Sequence, residues 1–269
     1  MNTTAYRYPN ERLVLFVTLS LVLLVIALTA TATVCASVIF VILFVLLSYG
    51  MSRSHHQELM RAAKPVTTQE MPGLARLIRL GVNRLAPGPI QVFVAPGRAL
   101  NAYTFGLSSP KIVVLYAPLF QVMDEDEILF ILGHELGHVA LGHTWLNSLV
   151  GSMAGIPAPF GAAAILAMAF LWWNRMCEYS ADRAGLLACG KPEKAITALV
   201  KLVAGPQADT PAELEAAYRK INAEDDNWLN SLGESFGTHP MLIRRIEALR
   251  AYTRTSQYRR LQEQMRQVE

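Results

Sequence analysis

Residues 134–138 read His-Glu-Leu-Gly-His, and after a long apolar run residues 178–182 read Glu-Tyr-Ser-Ala-Asp. On a helix, His134 and His138 lie four residues apart, so both imidazoles leave one face and can grip one cation. Glu135 is rotated by about 100° from His134, which sets its carboxylate beside a metal rather than on it. A catalytic zinc takes three protein ligands and keeps a fourth position open. Glu178 is the candidate third ligand. Two nitrogens, one ligating carboxylate and a neighbouring base are what hydrolysis by a metal-activated water requires.

Asp182 follows Glu178 by four residues, so a second helix can turn one carboxylate to the metal and hold another behind it. A carboxylate behind a ligating histidine fixes its tautomer and raises its basicity, and Asp182 suits that task. The plainer alternative is a solvated helix face on which Arg175 and Arg183 neutralise both acids. A three-histidine site of the metzincin pattern needs its third histidine at position 144, which is Thr, with a glycine at 141, which is Leu. His143 is one residue out of register, and it reads as a packing or supporting residue.

The first motif sits on a helix expected to open at Asp124-Glu125-Asp126-Glu127 and to run through Ile128–His143. Acidic residues complement the positive end of the helix dipole, and Asp124 can cap it. Apolar residues nearly all round make this a buried helix. Gly133 and Gly137 each cost about 1 kcal/mol in a helix, so their expected use is close approach by another backbone. Upstream, Leu74–Leu85 has amphipathic helical spacing and ends at Ala86-Pro87-Gly88-Pro89. Ile90–Val94, Asn101–Gly106 and Lys111–Tyr116 read as a small antiparallel sheet. Its edge either pairs with an extended peptide or is scaffold alone.

Hydrophobic residues make up 52% of the chain and charged residues 17%, against about 25% charged in an ordinary soluble domain. From Leu13 to Tyr49 there is no charge over 37 residues, about two bilayer spans. Thr29–Thr33 divides this run into Leu13–Leu28 and Val34–Tyr49, which predicts a transmembrane hairpin. A cleaved signal peptide ending at Ala30-Thr31-Ala32 is the competing reading, and it hardly alters the topology. Arg7 and Arg12 precede the run, and Arg53, Arg61 and Lys64 follow it. Both ends are therefore expected to face the cytoplasm, at the cell's inner or plasma membrane. Residues 1–50 form a polar tail and two spans, 51–66 a juxtamembrane linker, and 67–269 the catalytic domain. His55 and His56 read as interfacial residues rather than ligands.

Between the two ligand motifs, Leu149–Trp173 is uncharged over 25 residues but is broken by Pro157-Ala158-Pro159. A single span would put the halves of the metal site on opposite sides of a membrane, so residues 145–173 are expected as a helical hairpin with its tip near Ala158. Trp145 and Trp172 then mark a water line, with the hairpin partly inserted in the lipid bilayer. A buried hairpin of the soluble domain is the alternative. Residues 192–203 and 211–222 read as amphipathic helices. The stretch from Pro240 to the end is helical and basic, with seven arginines against three glutamates. The net charge of +3 and the absence of interleaved basic and aromatic residues exclude a nucleic-acid partner. Cys35, Cys177 and Cys189 show no disulfide or cysteine-metal spacing, and they fit a reducing compartment.

Taken together, His134–His143, Glu178–Asp182, Asn101-Ala102-Tyr103 and Thr238-His239-Pro240 with Arg245-Ile246 resemble the HtpX-type membrane zinc metallopeptidases, a family that includes the CAAX prenyl endopeptidases. The resemblance covers roughly residues 65–250. It implies a gluzincin-type domain, mainly α with a small sheet, holding one catalytic Zn2+. It also implies endopeptidase action on membrane or misfolded polypeptides. His134, His138 and Glu178 become the ligands, Glu135 the general base and Asp182 the supporting aspartate. Only the resemblance gives His239 a place as an oxyanion stabiliser or metal gate, and Asn101 and Arg245 a place near substrate. An idle zinc-containing scaffold or chaperone and a prenyl-protein endopeptidase are the rival functions.

Overall fold

The computed structural model describes residues 3–32, 36–150, 162–205 and 242–267, with isolated positions between 212 and 219. After a short 3-10 turn at Thr3–Tyr6, the helices are α1 (Glu11–Ala32), α2 (Ala36–Ala62), α3 (Pro72–Leu85), α4 (Leu119–Val122), α5 (Glu125–Leu141), α6 (Thr144–Val150), α7 (Ala162–Cys189), α8 (Pro192–Ala204), α9 (Leu242–Thr253) and α10 (Ser256–Arg266). The strands are β1 (Lys64–Pro65), β2 (Ile90–Ala95), β3 (Ala102–Phe105) and β4 (Lys111–Tyr116).

The motif helix starts where its acids place it. The Asp124 side chain accepts from the Glu127 amide and the Glu127 side chain accepts from the Asp124 amide, a complete capping box. The same acids tie α5 to α8. Lys194 pairs with Asp124, and Lys201 with Glu127 at 2.9 Å. Lys191 at the cap of α8 reaches Asp126 at 2.6 Å.

The end of α5 departs from expectation. The helix stops at Leu141, with Gly142 at φ 79° as its left-handed cap, two residues before the expected end at His143. Glycine takes that conformation without a Cβ penalty. The break turns the His143 ring back towards His138, and α6 then restarts at Thr144.

Helix α5 lies against α7 at the range of small residues. A methyl group at Gly137 would stand 2.6 Å from the Ala184 Cβ and 3.2 Å from the Ala181 Cα, and one at Gly133 would collide with Ala188. Only hydrogen at these positions lets the backbones close, as the sequence led one to expect.

The expected antiparallel sheet is instead mixed, in the order β1-β2-β4-β3. β2 and β4 pair in parallel from Ile90↔Lys111 to Ala95↔Tyr116, while β3 pairs antiparallel with β4. The chain leaves β2, skips one strand width, and returns through a tight hairpin so that β4 fills the gap. The reason is in β4 itself. Its run Ile112-Val113-Val114-Leu115 is apolar on both faces, as in parallel strands covered on both sides. Val113 and Leu115 enter the core under α5, while Val114 joins Ala95 and Phe105 beneath Leu59 and Met60 of α2. The C-terminal half of α2 is thus a cover for the sheet, and residues 51–62, expected as linker, continue that helix.

The polar tail is also part of the domain. Tyr6 is fully buried in the main core. Tyr8 and Tyr252 flank the Arg183 guanidinium, 4.7 and 4.3 Å from its carbon. Beyond this segment α1 runs antiparallel along the first half of α7, with Thr18 donating to the Ala169 carbonyl at 3.1 Å and Val14 packing beside Trp173 and Cys177. Its far side is bare, with Phe16, Leu23 and Leu28 more than 60% exposed. Glu11–Ala30 is the one helix among the described residues long and apolar enough to cross a membrane. Of the expected 145–173 hairpin, only the ends are described, in α6 and from Ala162 of α7, while the tip at Pro157 and Ala158 lies outside the described residues, as does most of the expected 211–222 helix. Trp145 and Trp172 are both 47% exposed.

Candidate metal centre

Helix α5 carries His134, Glu135 and His138, and α7 carries Glu178 and Asp182 across the glycine-lined seam. The two Nε2 atoms of His134 and His138 lie 3.2 Å apart. Glu178 places Oε2 at 3.5 Å from His134 Nε2 and Oε1 at 3.4 Å from His138 Nε2. Tetrahedral zinc with bonds of about 2.05 Å needs ligand atoms about 3.3 Å apart. The three side chains therefore outline one face of a zinc tetrahedron.

The opposite ring nitrogens support that fit. His134 Nδ1 lies 2.9 Å from Asp182 Oδ1, and His138 Nδ1 lies 2.9 Å from His143 Nδ1. With each Nδ1 proton engaged there, the Nε2 atoms face each other as lone pairs. Two lone pairs and a carboxylate converging without a cation would repel, so the donor set fits a divalent metal.

The carboxylates are held as anions. Burial pushes the Glu178 carboxyl up, but Arg245 and the two imidazoles overcome it and hold it well below the usual carboxylate range. Asp182, fully buried, is likewise depressed against its burial by Arg245 and His134. Arg245 Nε donates to Asp182 Oδ2 at 2.7 Å and Nη2 to Oδ1 at 2.6 Å. Its Nη1 lies 3.2 Å from Glu178 Oε2. Burial opposes the Arg245 charge, yet the two acids raise its pKa further. Arg245 is 4% exposed, and its guanidinium is engaged by Asp182 and Glu178 rather than open to a substrate. Burial, reinforced by His138 and Arg7, drives the His143 pKa well below its ordinary value, so this ring is neutral.

The Glu135 carboxylate is held by β3, where Thr104 Oγ1 donates to its Oε2 at 2.7 Å, and its charge acts on the neighbouring His138. Thr104 escaped the sequence reading, although alternation along Ala102–Phe105 puts it on the α5 face. β3 is an edge strand beside Glu135. Asn101 stands at its start, its Oδ1 accepting from the Ala102 amide at 2.9 Å. His239 lies outside the described residues. His56, read as interfacial, stacks on Phe105 with centroids 3.7 Å apart.

Comparison with known proteins adds the lineage. Residues 74–253 match peptidase family M48. The chain is 30% identical to the plastoglobule-localized metallopeptidase 48 of Arabidopsis thaliana, over 63% of this chain and 54% of that one. It is 30% identical to a protease HtpX homolog of Kineococcus radiotolerans, over 77% of this chain and 83% of that one. With protease HtpX of Hydrogenovibrio crunogenus the identity is 26%, over 67% and 70%.

Proposed function

The chain belongs to peptidase family M48, and on that premise we propose that it is a zinc-dependent endopeptidase, anchored in a membrane, that cuts membrane or misfolded polypeptides. The observation that carries this reading is the convergence of His134 Nε2, His138 Nε2 and a Glu178 carboxylate at tetrahedral spacing.

Zinc bound there would lower the pKa of a water molecule and polarise a carbonyl group. The remaining work belongs to the chain. Glu135 accepts the water's proton and returns it to the leaving amine. Thr104 fixes the orientation of that carboxylate. Asp182 holds the His134 ring, and Arg245 fixes Asp182 and Glu178 relative to each other. The outer edge of β3, which pairs with no further strand among the described residues, offers backbone groups to an extended peptide, with Asn101 at one end. The family resemblance gives His239 a role at the developing oxyanion or as a gate on the metal.

Anchoring is supported by the exposed apolar side of α1, which carries Phe16, Leu23 and Leu28, since contiguous apolar surface marks a site of contact with membrane or protein. Because Glu11 stands beside the α5–α7 seam and α1 runs away from it, the centre would lie close to the bilayer surface. The inner or plasma membrane, with the domain on the cytoplasmic side, follows from the flanking arginines. Cysteines placed at 157 and 158 should resist a water-soluble thiol reagent in intact membranes if the 145–173 hairpin enters lipid; free labelling would remove that part of the reading. Zinc-dependent cleavage of an unfolded protein, compared with a prenylated peptide, tests the substrate class. Cleavage of the prenylated peptide alone would replace the reading with a prenyl endopeptidase. Cleavage of neither would replace it with a scaffold.

A further inference from the structure

One buried anion near the centre has no part in the reaction so far. Glu11, the first residue of α1, is 2% exposed, and its Oε1 lies 3.0 Å from Nε2 of His143. Arg7 and the Ser180 hydroxyl also donate to its carboxylate. His143 in turn presents Nδ1 to His138 Nδ1 at 2.9 Å. A continuous row of side chains therefore joins the root of the apolar helix to a metal ligand.

Proton counting gives that row a direction. His138 turns Nε2 to the metal position, so its own proton sits on Nδ1. The facing Nδ1 of His143 must then be bare to accept it. A neutral His143 carries its single proton on Nε2, and that proton needs an acceptor where the Glu11 carboxylate stands. We infer that Glu11 is a positioning residue for the zinc site, fixing the His143 tautomer so that His143 can orient His138. This rests on the zinc reading of His134, His138 and Glu178. His134 has its acceptor directly in Asp182; His138 has its acceptor through His143 and Glu11, from the opposite end of the sequence. The peptidase centre and the anchoring helix are then one unit, since any shift of α1 relative to α7 moves a group that orients a ligand.

The same atoms allow one other arrangement. Glu11, His143 and Cys177 offer three buried donor atoms within 4.8 Å of one another, a second place for a metal. The two arrangements exclude each other, because a metal on His143 Nε2 displaces the proton that Glu11 accepts.

The test uses the full-length chain in detergent micelles, with zinc affinity measured by chelator competition and zinc content by mass spectrometry. Glu11→Leu should weaken zinc binding about 10- to 100-fold, the usual cost of losing such a partner. Glu11→Gln keeps an oxygen for His143 and can donate to Ser180, so it should stay within about threefold of the parent. Cys177→Ala should leave affinity and a content of one zinc unchanged. Equal affinity for Glu11→Leu and the parent overturns the proposal, as does a parent holding two zinc ions that drops to one in Cys177→Ala. Should Glu11→Leu fail to fold, nitrogen NMR of histidine-labelled parent protein decides: a proton on His143 Nε2 supports the proposal and one on Nδ1 overturns it. If His134→Ala binds zinc as tightly as the parent, the zinc reading itself falls, a different result from any of these.

Discussion

Replacing Asp182 should separate the stability of the domain from the quality of its metal site. The Asp182 carboxylate is fully buried and accepts three charge-assisted bonds, one from His134 at 2.9 Å and two from Arg245 at 2.7 and 2.6 Å. Asp182→Ala strands the Arg245 charge and removes the acceptor of a ring proton. Breaking a buried pair from one side costs about 3–5 kcal/mol, a large share of the roughly 5–15 kcal/mol that holds a domain folded. At about 2–4 °C per kcal/mol for a chain of this size, the unfolding midpoint should fall by roughly 6–20 °C. Asp182→Leu combined with Arg245→Met removes both charges and fills the space but leaves Glu178 without its arginine, so only part of that midpoint should return. Zinc affinity should not return, because His134 Nδ1 still lacks an acceptor, and a loss of about 10- to 100-fold is expected. Differential scanning fluorimetry and chelator competition on the same samples read the two quantities. A double variant that regains both stability and parental zinc affinity would refute the orienting role of Asp182.

Three further outcomes follow from the geometry. Gly137→Ala gains about 1 kcal/mol of helix propensity but loses about 1–3 kcal/mol to overpacking against Ala184, so the unfolding midpoint and zinc affinity should both fall; a rise in either would show that the α5–α7 seam is not tight. Thr104→Val removes one bond to Glu135, worth about 1 kcal/mol, so kcat should drop about fivefold with KM little changed, and unchanged turnover would deny Thr104 its role. Glu178 and Asp182 are held below the usual carboxylate range, so they contribute fully above the unfolded pKa of about 4 and that contribution is lost as pH falls through their depressed folded values. The midpoint of the zinc-free chain should therefore fall as pH drops below about 4, and equal midpoints at about pH 5 and 3 would contradict it.

Much of the site was legible because its signals are local. Helical spacing puts His134 beside His138 and Glu178 beside Asp182, and the acidic cap before Ile128 marks the start of the helix. The need for Gly133 and Gly137 follows from their poor helix propensity. What escaped depends on partners distant in sequence. Nothing near Tyr6 or Glu11 announces that a polar tail enters the core, since the groups they meet, among them Tyr252, His143 and Ser180, lie far along the chain. The parallel pairing of β2 with β4 was hidden by the short hairpin between β3 and β4, although the unbroken apolar run in β4 carried the hint. Gly142 was read as part of a continuing helix, and its left-handed cap is what frees His143 to serve as a link.

The most direct test of the central claim compares the full-length chain with Glu135→Gln, each purified with one equivalent of zinc and given an unfolded protein substrate. Both should bind one zinc with similar affinity. Only the parent should cleave, and the variant should be slower by at least about a hundredfold, as expected for loss of a general base. Comparable cleavage by the variant, or cleavage by the parent that survives complete removal of the metal, would contradict the account.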